Sequence, residues 1–169
     1  MALGHRLQRT LRHAKSGTAA ARRAFPPETL RAIAAAITAG EQTHRGEVRL
    51  IVERAMPLDA AWGGISARQR ALALFADYGM WDTEENCGVL LYVNLADRKV
   101  EIVADRGIDR KIGAATWRSV CDTLTAGYAR GQFHDSTLAA IGQVNALLHE
   151  HFPSTGPRPN ELPDEPVIL

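Results

Sequence analysis

One group of residues in this chain has the side chains and the spacing for a recognisable kind of chemistry. Asp82, Glu84, Glu85 and Asn86 crowd a short polar stretch, and Asp105 stands further along. Carboxylates and amides are hard oxygen donors of the kind that hold Ca²⁺ or Mg²⁺. The intervening residues read as two strands joined by a tight turn. In an antiparallel hairpin the start of the first strand lies beside the end of the second, so Asp105 is expected near Asn86. The candidate metal set is Glu84, Glu85, Asn86 and Asp105, with Ca²⁺ or Mg²⁺ as the implied cofactor. The competing expectation is a solvated acidic loop with a capping Asp.

Other chemistry is sparse. The chain carries no Gly-x-Ser-x-Gly elbow, P-loop, dinucleotide fingerprint or His-Glu-x-x-His. Cys87 and Cys121 form no metal or redox motif and are expected to be thiols rather than a disulfide. His149 and His151 are two apart near a helix end, where residues of that spacing do not share a face. No catalytic residue is assigned. A net charge of +1 over 169 residues implies no nucleic-acid partner.

The elements that must position the acidic group follow from pattern. Gly88-Val-Leu-Leu-Tyr-Val-Asn-Leu95 is a short apolar run bounded by turn residues, which fits a strand buried on both faces. Ala96-Asp97-Arg98 makes the turn, with Asp97 as turn former. Lys99 to Asp105 then alternates, with Val100, Ile102 and Ala104 on the covered side. The first strand is therefore central and the second lies nearer an edge. Glu47 to Ala55 alternates in the same way and is a third strand.

Helices complete the layout. Pro26-Pro27-Glu28 opens one whose Leu30, Ile33, Ala34 and Ile37 share a face, with Gly46 as its stop. After a Gly63-Gly64 loop, Ser66 and Gln69 form a capping box for a helix that buries Ala71, Leu72, Phe75 and Tyr78. A third carries Trp117, Val120, Cys121, Leu124 and Tyr128 as an apolar stripe and ends at Gly131. Asp135 caps the last, with Leu138, Ile141, Asn145 and Leu148 facing inward.

The strand pair and its turn carry a resemblance. Gly88-Val-Leu-Leu-Tyr-Val93, Asp97-Arg98-Lys99-Val100-Glu101-Ile102 and Asp105-Arg106-Gly107-Ile108 look like the TPM domain. The resemblance implies an α/β fold, a three-layer α/β/α sandwich around a small mixed β-sheet with a central antiparallel hairpin. It also implies a non-catalytic interaction domain that assists membrane-protein assembly or quality control, with a protein partner that is itself a membrane protein. Some members are similar to weak acid phosphatases, and some bind calcium or another divalent cation at loops beside the sheet. The alternative function is therefore a weak divalent-metal-dependent phosphatase built on Glu84, Glu85 and Asp105. The family typically has Asp-Asn-Gly before the central strand, whereas this chain has Asn86-Cys87-Gly88. The exchange removes a carboxylate, and ligand charge tunes calcium affinity.

Three regions result: a basic helical extension over 1–25, the TPM-like domain over 26–152, and a Pro-rich tail over 153–169. In the first, Arg6, Arg9, Arg12, Lys15, Arg22 and Arg23 occur with no acid, and Leu3, Leu7 and Leu11 recur at helical spacing. Such a helix is expected to lie frayed on the surface or to make weak peripheral contact with an anionic membrane. The first residues lack the apolar core of a signal peptide, so a cytoplasmic location is expected. The apolar end Val167-Ile168-Leu169 is expected to dock back onto the body.

Overall fold

Residues of alternating orientation build the centre of the molecule, which the computed structural model describes over residues 3–157 and 159–169. Strand β1 (Glu47–Glu53) runs parallel to β2 (Gly88–Asn94), with Glu47 opposite Gly88 and Glu53 opposite Asn94. Strand β3 (Lys99–Ala104) returns antiparallel to β2, pairing Val89 with Ala104 and Asn94 with Lys99. Strand β4 (Val167–Ile168) pairs parallel with the far side of β1, giving the order β3-β2-β1-β4. Every residue of β2 is buried and β3 is partly exposed at its edge, as the apolar run and the alternating run imply. Strand β1 alternates in sequence but is buried throughout, Arg49 and Glu53 included, because it lies inside the sheet between β2 and β4.

The two faces of the sheet collect different residues. Val48, Leu50, Val52, Val89, Leu91, Val93 and Ile102 point to one side. There they meet Ile33 and Ile37 of α3 (Pro27–Glu41), Leu124 of α7 (Ala114–Ala129), and Ile141 and Leu148 of α8 (Phe133–His151). Ile51, Leu90, Tyr92 and Val103 point to the other side, against Ala71, Leu74 and Phe75 of α5 (Ala67–Asp77). The result is the expected three-layer α/β/α sandwich around a mixed sheet. The hairpin spans the interior strand β2 and the edge strand β3.

Local departures have local causes. Helix α3 stops at Glu41 with Gln42 as its cap, so Gly46 does not end it. A Cβ on Gly46 would lie 2.8 Å from Leu148 Cδ1, so the glycine admits α8 close to the start of β1. In α5 the Ser66–Gln69 capping box forms in both directions, but Leu72 is exposed and Leu74 takes the core position. Helix α8 begins at Phe133 with Gln132 as N-cap, placing Asp135 in its first turn rather than at its cap. The stretch ahead of the Gly63-Gly64 loop forms α4 (Leu58–Gly63), closed by Gly64 in the left-handed region with φ 80°. The short α6 (Arg106–Asp109) follows β3.

Both ends of the chain are docked. The first helices are α1 (Leu3–Lys15) and α2 (Thr18–Ala24), and α1 packs beside α4. At the other end, Leu169 N–H donates to Val52 O at 2.9 Å and Arg54 N–H donates to Leu169 O at 3.0 Å, so the last residues extend the ladder of β1. No described helix is long and apolar enough to cross a membrane.

Candidate functional site

The acidic turn before β2 lies across the ladder from the end of β3. Asp105 N–H donates to Gly88 O at 2.8 Å, which sets Asp105 across the ladder from the turn. A Cβ on Gly107 would lie 2.7 Å from Asn86 O and 3.3 Å from Glu85 O, so Gly107 lets that backbone close in. Asn86 itself has φ 54°, a left-handed conformation that asparagine tolerates. Asp105 is buried: Oδ1 accepts from Arg106 N–H at 2.6 Å as the cap of α6, while Oδ2 is buried without a hydrogen-bond partner among the described residues.

The remaining acids are turned to other tasks. Glu85 pairs with Arg45. Glu84 offers its backbone N–H to Glu161 of the C-terminal segment at 2.9 Å, and its side chain is exposed, as is that of Asp82. Among the described residues, no three His, Cys, Asp or Glu side chains gather within reach of one ion. The structure thus sets Gly107 against the backbone of Glu85 and Asn86 and Asp105 across from Gly88, with the Glu85 carboxylate on Arg45 and Glu84 exposed. Ca²⁺ takes six or more oxygens and gains affinity from ligand charge, and this corner supplies one buried carboxylate.

The thiols are placed for packing. Neither cysteine is in a disulfide. Cys87 is buried, with its N–H donating to Thr83 Oγ1 at 2.9 Å. Burial, and then Glu101 and Asp122, push the Cys121 thiol up to about 11. A thiol held protonated at neutral pH is not an activated nucleophile.

A denser polar cluster lies at the opposite end of the sheet, beyond the carboxyl ends of β1 and β2. Open α/β sheets commonly bind ligands there. Glu53, the last residue of β1, takes three hydrogen bonds from Arg70 of α5, the shortest at 2.6 Å, and one from Tyr92 Oη at 2.5 Å. Asn94 Nδ2 donates to Tyr92 Oη at 2.9 Å, and Asn94 Oδ1 accepts from Asp97 N–H at 2.8 Å. Burial, reinforced by Glu53, pushes the Tyr92 phenol far up, so it stays a neutral donor. The hydrogen bond to Glu53 raises Arg70 in turn. Each buried charge therefore has its partner, as burial demands.

Asp97 carries this cluster outward to the N-terminal helix. Arg9 donates to Asp97 Oδ2 from Nε at 3.0 Å and from Nη2 at 2.7 Å, and Nη2 also reaches Ile65 O at 2.7 Å. His13 Nε2 lies 3.1 Å from Asp97 Oδ1, while His13 Nδ1 accepts from Met56 N–H at 2.9 Å. Arg9 and His13 are both buried. Burial alone would raise the Asp97 carboxyl. The Arg9 hydrogen bond and the charges of His13 and Arg9 outweigh it and hold the carboxyl below its ordinary value.

The face that α1 leaves outward is the apolar one. Leu3, Leu7 and Leu11 are 71 %, 52 % and 48 % exposed. Two residues are about 200° apart around a helix, so Leu7 and Leu11 point away from Arg9, and Leu11 away from His13. Sequence pattern identifies both stripes, and Arg9 and His13 at a spacing of four share a face, but nothing local says which stripe is buried. Asp97, assigned to the turn, is the residue that decides it.

Residues 21–147 match the model of the TPM domain. No curated protein matches the chain. Among solved structures, the chain is similar to the NMR structure of BA42 protein from the psychrophilic bacteria Bizionia argentinensis sp. nov.. The two share 25% identity at a TM-score of 0.74, and the match covers 84% of this chain and 93% of that one. Helix α1 and its Asp97 anchor pair lie partly outside the matched residues, since Arg9 and His13 precede residue 21.

Proposed function

The chain belongs to the TPM domain family, and on that premise we propose that it is a non-catalytic interaction domain working beside an anionic membrane surface. Its role there is to assist the assembly or quality control of membrane proteins. The observation that carries this reading is the orientation of α1, with a buried cationic side and an outward stripe of Leu3, Leu7 and Leu11. Arg6, Arg12, Lys15, Arg22 and Arg23 accompany that stripe, and residues 3–25 contain no acid. Each Lys or Arg near an anionic leaflet contributes about 1 kcal/mol. A few leucines add a shallow apolar contact, so the attachment is weak and reversible.

Flotation with vesicles tests it. The protein is expected to float with vesicles containing phosphatidylglycerol, less so as salt rises, and not with phosphatidylcholine alone. The exposed pair Leu7→Glu and Leu11→Glu should abolish flotation while leaving the melting temperature unchanged. Absence of flotation with anionic vesicles, or equal flotation of the double variant, rejects the reading.

A second reading retains one supporting observation, the buried Oδ2 of Asp105 without a described partner. It is a divalent-cation corner formed by Asp105 with the Asn86 turn, on which weak phosphohydrolase chemistry would depend. Binding to the native state alone raises stability by mass action. A Ca²⁺- or Mg²⁺-specific rise in melting temperature, lost in Asp105→Ala, supports it. No rise at millimolar cation removes it, and the phosphatase alternative with it.

A further inference from the structure

A cleft of about 720 Å³ opens beside the β2–β3 turn, between α2 and the adjoining ends of α7 and α8. That volume is typical of small-molecule sites. Its walls are apolar: Val93, Val100, Tyr128 and Phe133 line it. Tyr128 and Phe133 stack with centroids 4.8 Å apart, and Phe25 meets Tyr128 edge-on at 6.1 Å, which fixes the aromatic wall. The Tyr128 hydroxyl is bonded to Thr137 Oγ1 at 2.7 Å, so that polar atom is already occupied.

The charges of the cleft all have one sign. Arg23, Arg98 and Lys99 line it and no carboxylate does. All three are exposed, and none forms an ion pair with a described residue. Asp97, the acid next to Arg98, could have neutralised this rim, but it is turned inward onto Arg9 and His13. The other polar side chains of the lining are already engaged. Asn94 bonds Tyr92 and the Asp97 backbone, and Thr125 donates to Cys121 O at 2.8 Å. A polar ligand body would find little to bond in the walls, while an anionic head would find three cations.

We propose that this cleft binds a single-chain amphiphile with an anionic head, a fatty acid or a lysophospholipid, its chain along Val93, Val100, Tyr128 and Phe133 and its head at Arg23, Arg98 and Lys99. The site lies at the carboxyl end of the parallel strands, away from the acidic turn, and α2 supplies one wall of it. It is separate from vesicle attachment through α1.

Isothermal titration calorimetry of the full chain with oleate and with oleoyl lysophosphatidate, both below their aggregation concentrations, tests the proposal. Saturable one-to-one binding is expected, with uncharged monoolein at least tenfold weaker. Whichever anionic ligand binds tighter identifies the preferred head, carboxylate or phosphate. Arg23→Glu with Lys99→Glu should weaken both ligands tenfold or more, and Ala129→Trp, which fills the cleft from an exposed position on α7, should abolish binding. Circular dichroism checks that both variants fold. The Leu7→Glu, Leu11→Glu chain should bind oleate as the parent does, which separates this site from the membrane reading. No saturable binding of either anionic ligand overturns the proposal. So does binding insensitive to both cleft variants, or monoolein bound as tightly as oleate.

Discussion

Replacing Asp97 by alanine should release the N-terminal helix without unfolding the sheet. The carboxylate is the common partner of Arg9, at 2.7 and 3.0 Å, and of His13, at 3.1 Å. The Arg9 side chain is 8% exposed and that of His13 0%. Removing one member of a buried ion pair costs about 3–5 kcal/mol, because the survivor is left buried and unpaired. Arg9 keeps its bond to Ile65 O, which points to the low end, about 3 kcal/mol. Arg12, at 3.8 Å and half exposed, adds little. The turn itself should persist, since Asn94 Oδ1 holds the Asp97 backbone N–H rather than its side chain.

A loss of about 3 kcal/mol shifts the docking equilibrium of α1 by more than about 100-fold. Amide hydrogen exchange reads this directly. Protection across Leu3–Lys15 should fall by about that factor in Asp97→Ala, while the amides of β1 and β2 keep theirs. The same release should occur at low pH in the parent chain. The folded Asp97 carboxyl is held below its ordinary value of 3.8. Its contribution is therefore present above that value and is lost as pH falls through the depressed folded value. Unchanged protection of α1 in the variant would refute the anchoring role. An equal loss across β1 and β2 would refute its locality.

Three further outcomes follow from single contacts. Burial, with Glu47 and Asp164 adding, raises the Glu41 carboxyl from 4.5 to about 8, against the opposing hydrogen bond from Val48 N–H. A raised folded value favours the protonated form, so stability should fall as pH rises from about 4.5 to about 8 and level off above. Thermal melts should show Glu41→Gln to have a flatter profile. Tyr92→Phe removes a buried donor to the Glu53 carboxylate and should cost roughly 1.5–3 kcal/mol by urea unfolding, leaving the mid-point unmoved only if the bond contributes nothing. Gly88→Ala would drive a Cβ into the carbonyl oxygen of Met80, a backbone atom that cannot swing aside. A loss of about 3 kcal/mol is expected, and a wild-type melting temperature would contradict the close approach.

The sheet was legible because its signals are strong and short-range. An apolar run cannot be solvated on either face, so Val89 to Val93 had to be interior, and the alternation of Lys99 to Ala104 had to leave one side wetter. Asp105 came beside the Asn86 turn because a hairpin brings its two ends together whatever else the fold does. The misplacements share a different origin. Leu72 and Leu74 are two apart on α5, and which of them faces the sheet depends on the rotation of the helix, which Phe75 and Ala71 settle only after packing. Gly46 has the residue type and place of a helix stop, but its role is set by Leu148, more than a hundred residues later. The ladder of β4 on β1 could not be read from a tail whose prolines and acids outweigh its three apolar residues.

The N-terminal helix shows the same limit most sharply. Its pattern contains a leucine stripe and a cationic stripe on nearly opposite sides. Hydrophobicity alone favours burying the leucines. A cationic stripe can be buried instead only where a carboxylate is already desolvated and fixed to receive it. Asp97 meets that condition, since Asn94 holds its backbone and its side chain is 10% exposed. Turning Arg9 and His13 inward has two consequences at once. It presents Leu3, Leu7 and Leu11 to the outside, and it removes Asp97 from the rim that Arg98 and Lys99 share with Arg23. The outward apolar stripe and the unneutralised basic cleft are therefore two consequences of the same buried contacts of Asp97, and Asp97→Ala should release the stripe with α1 while leaving Arg98 and Lys99 without a neighbouring carboxylate.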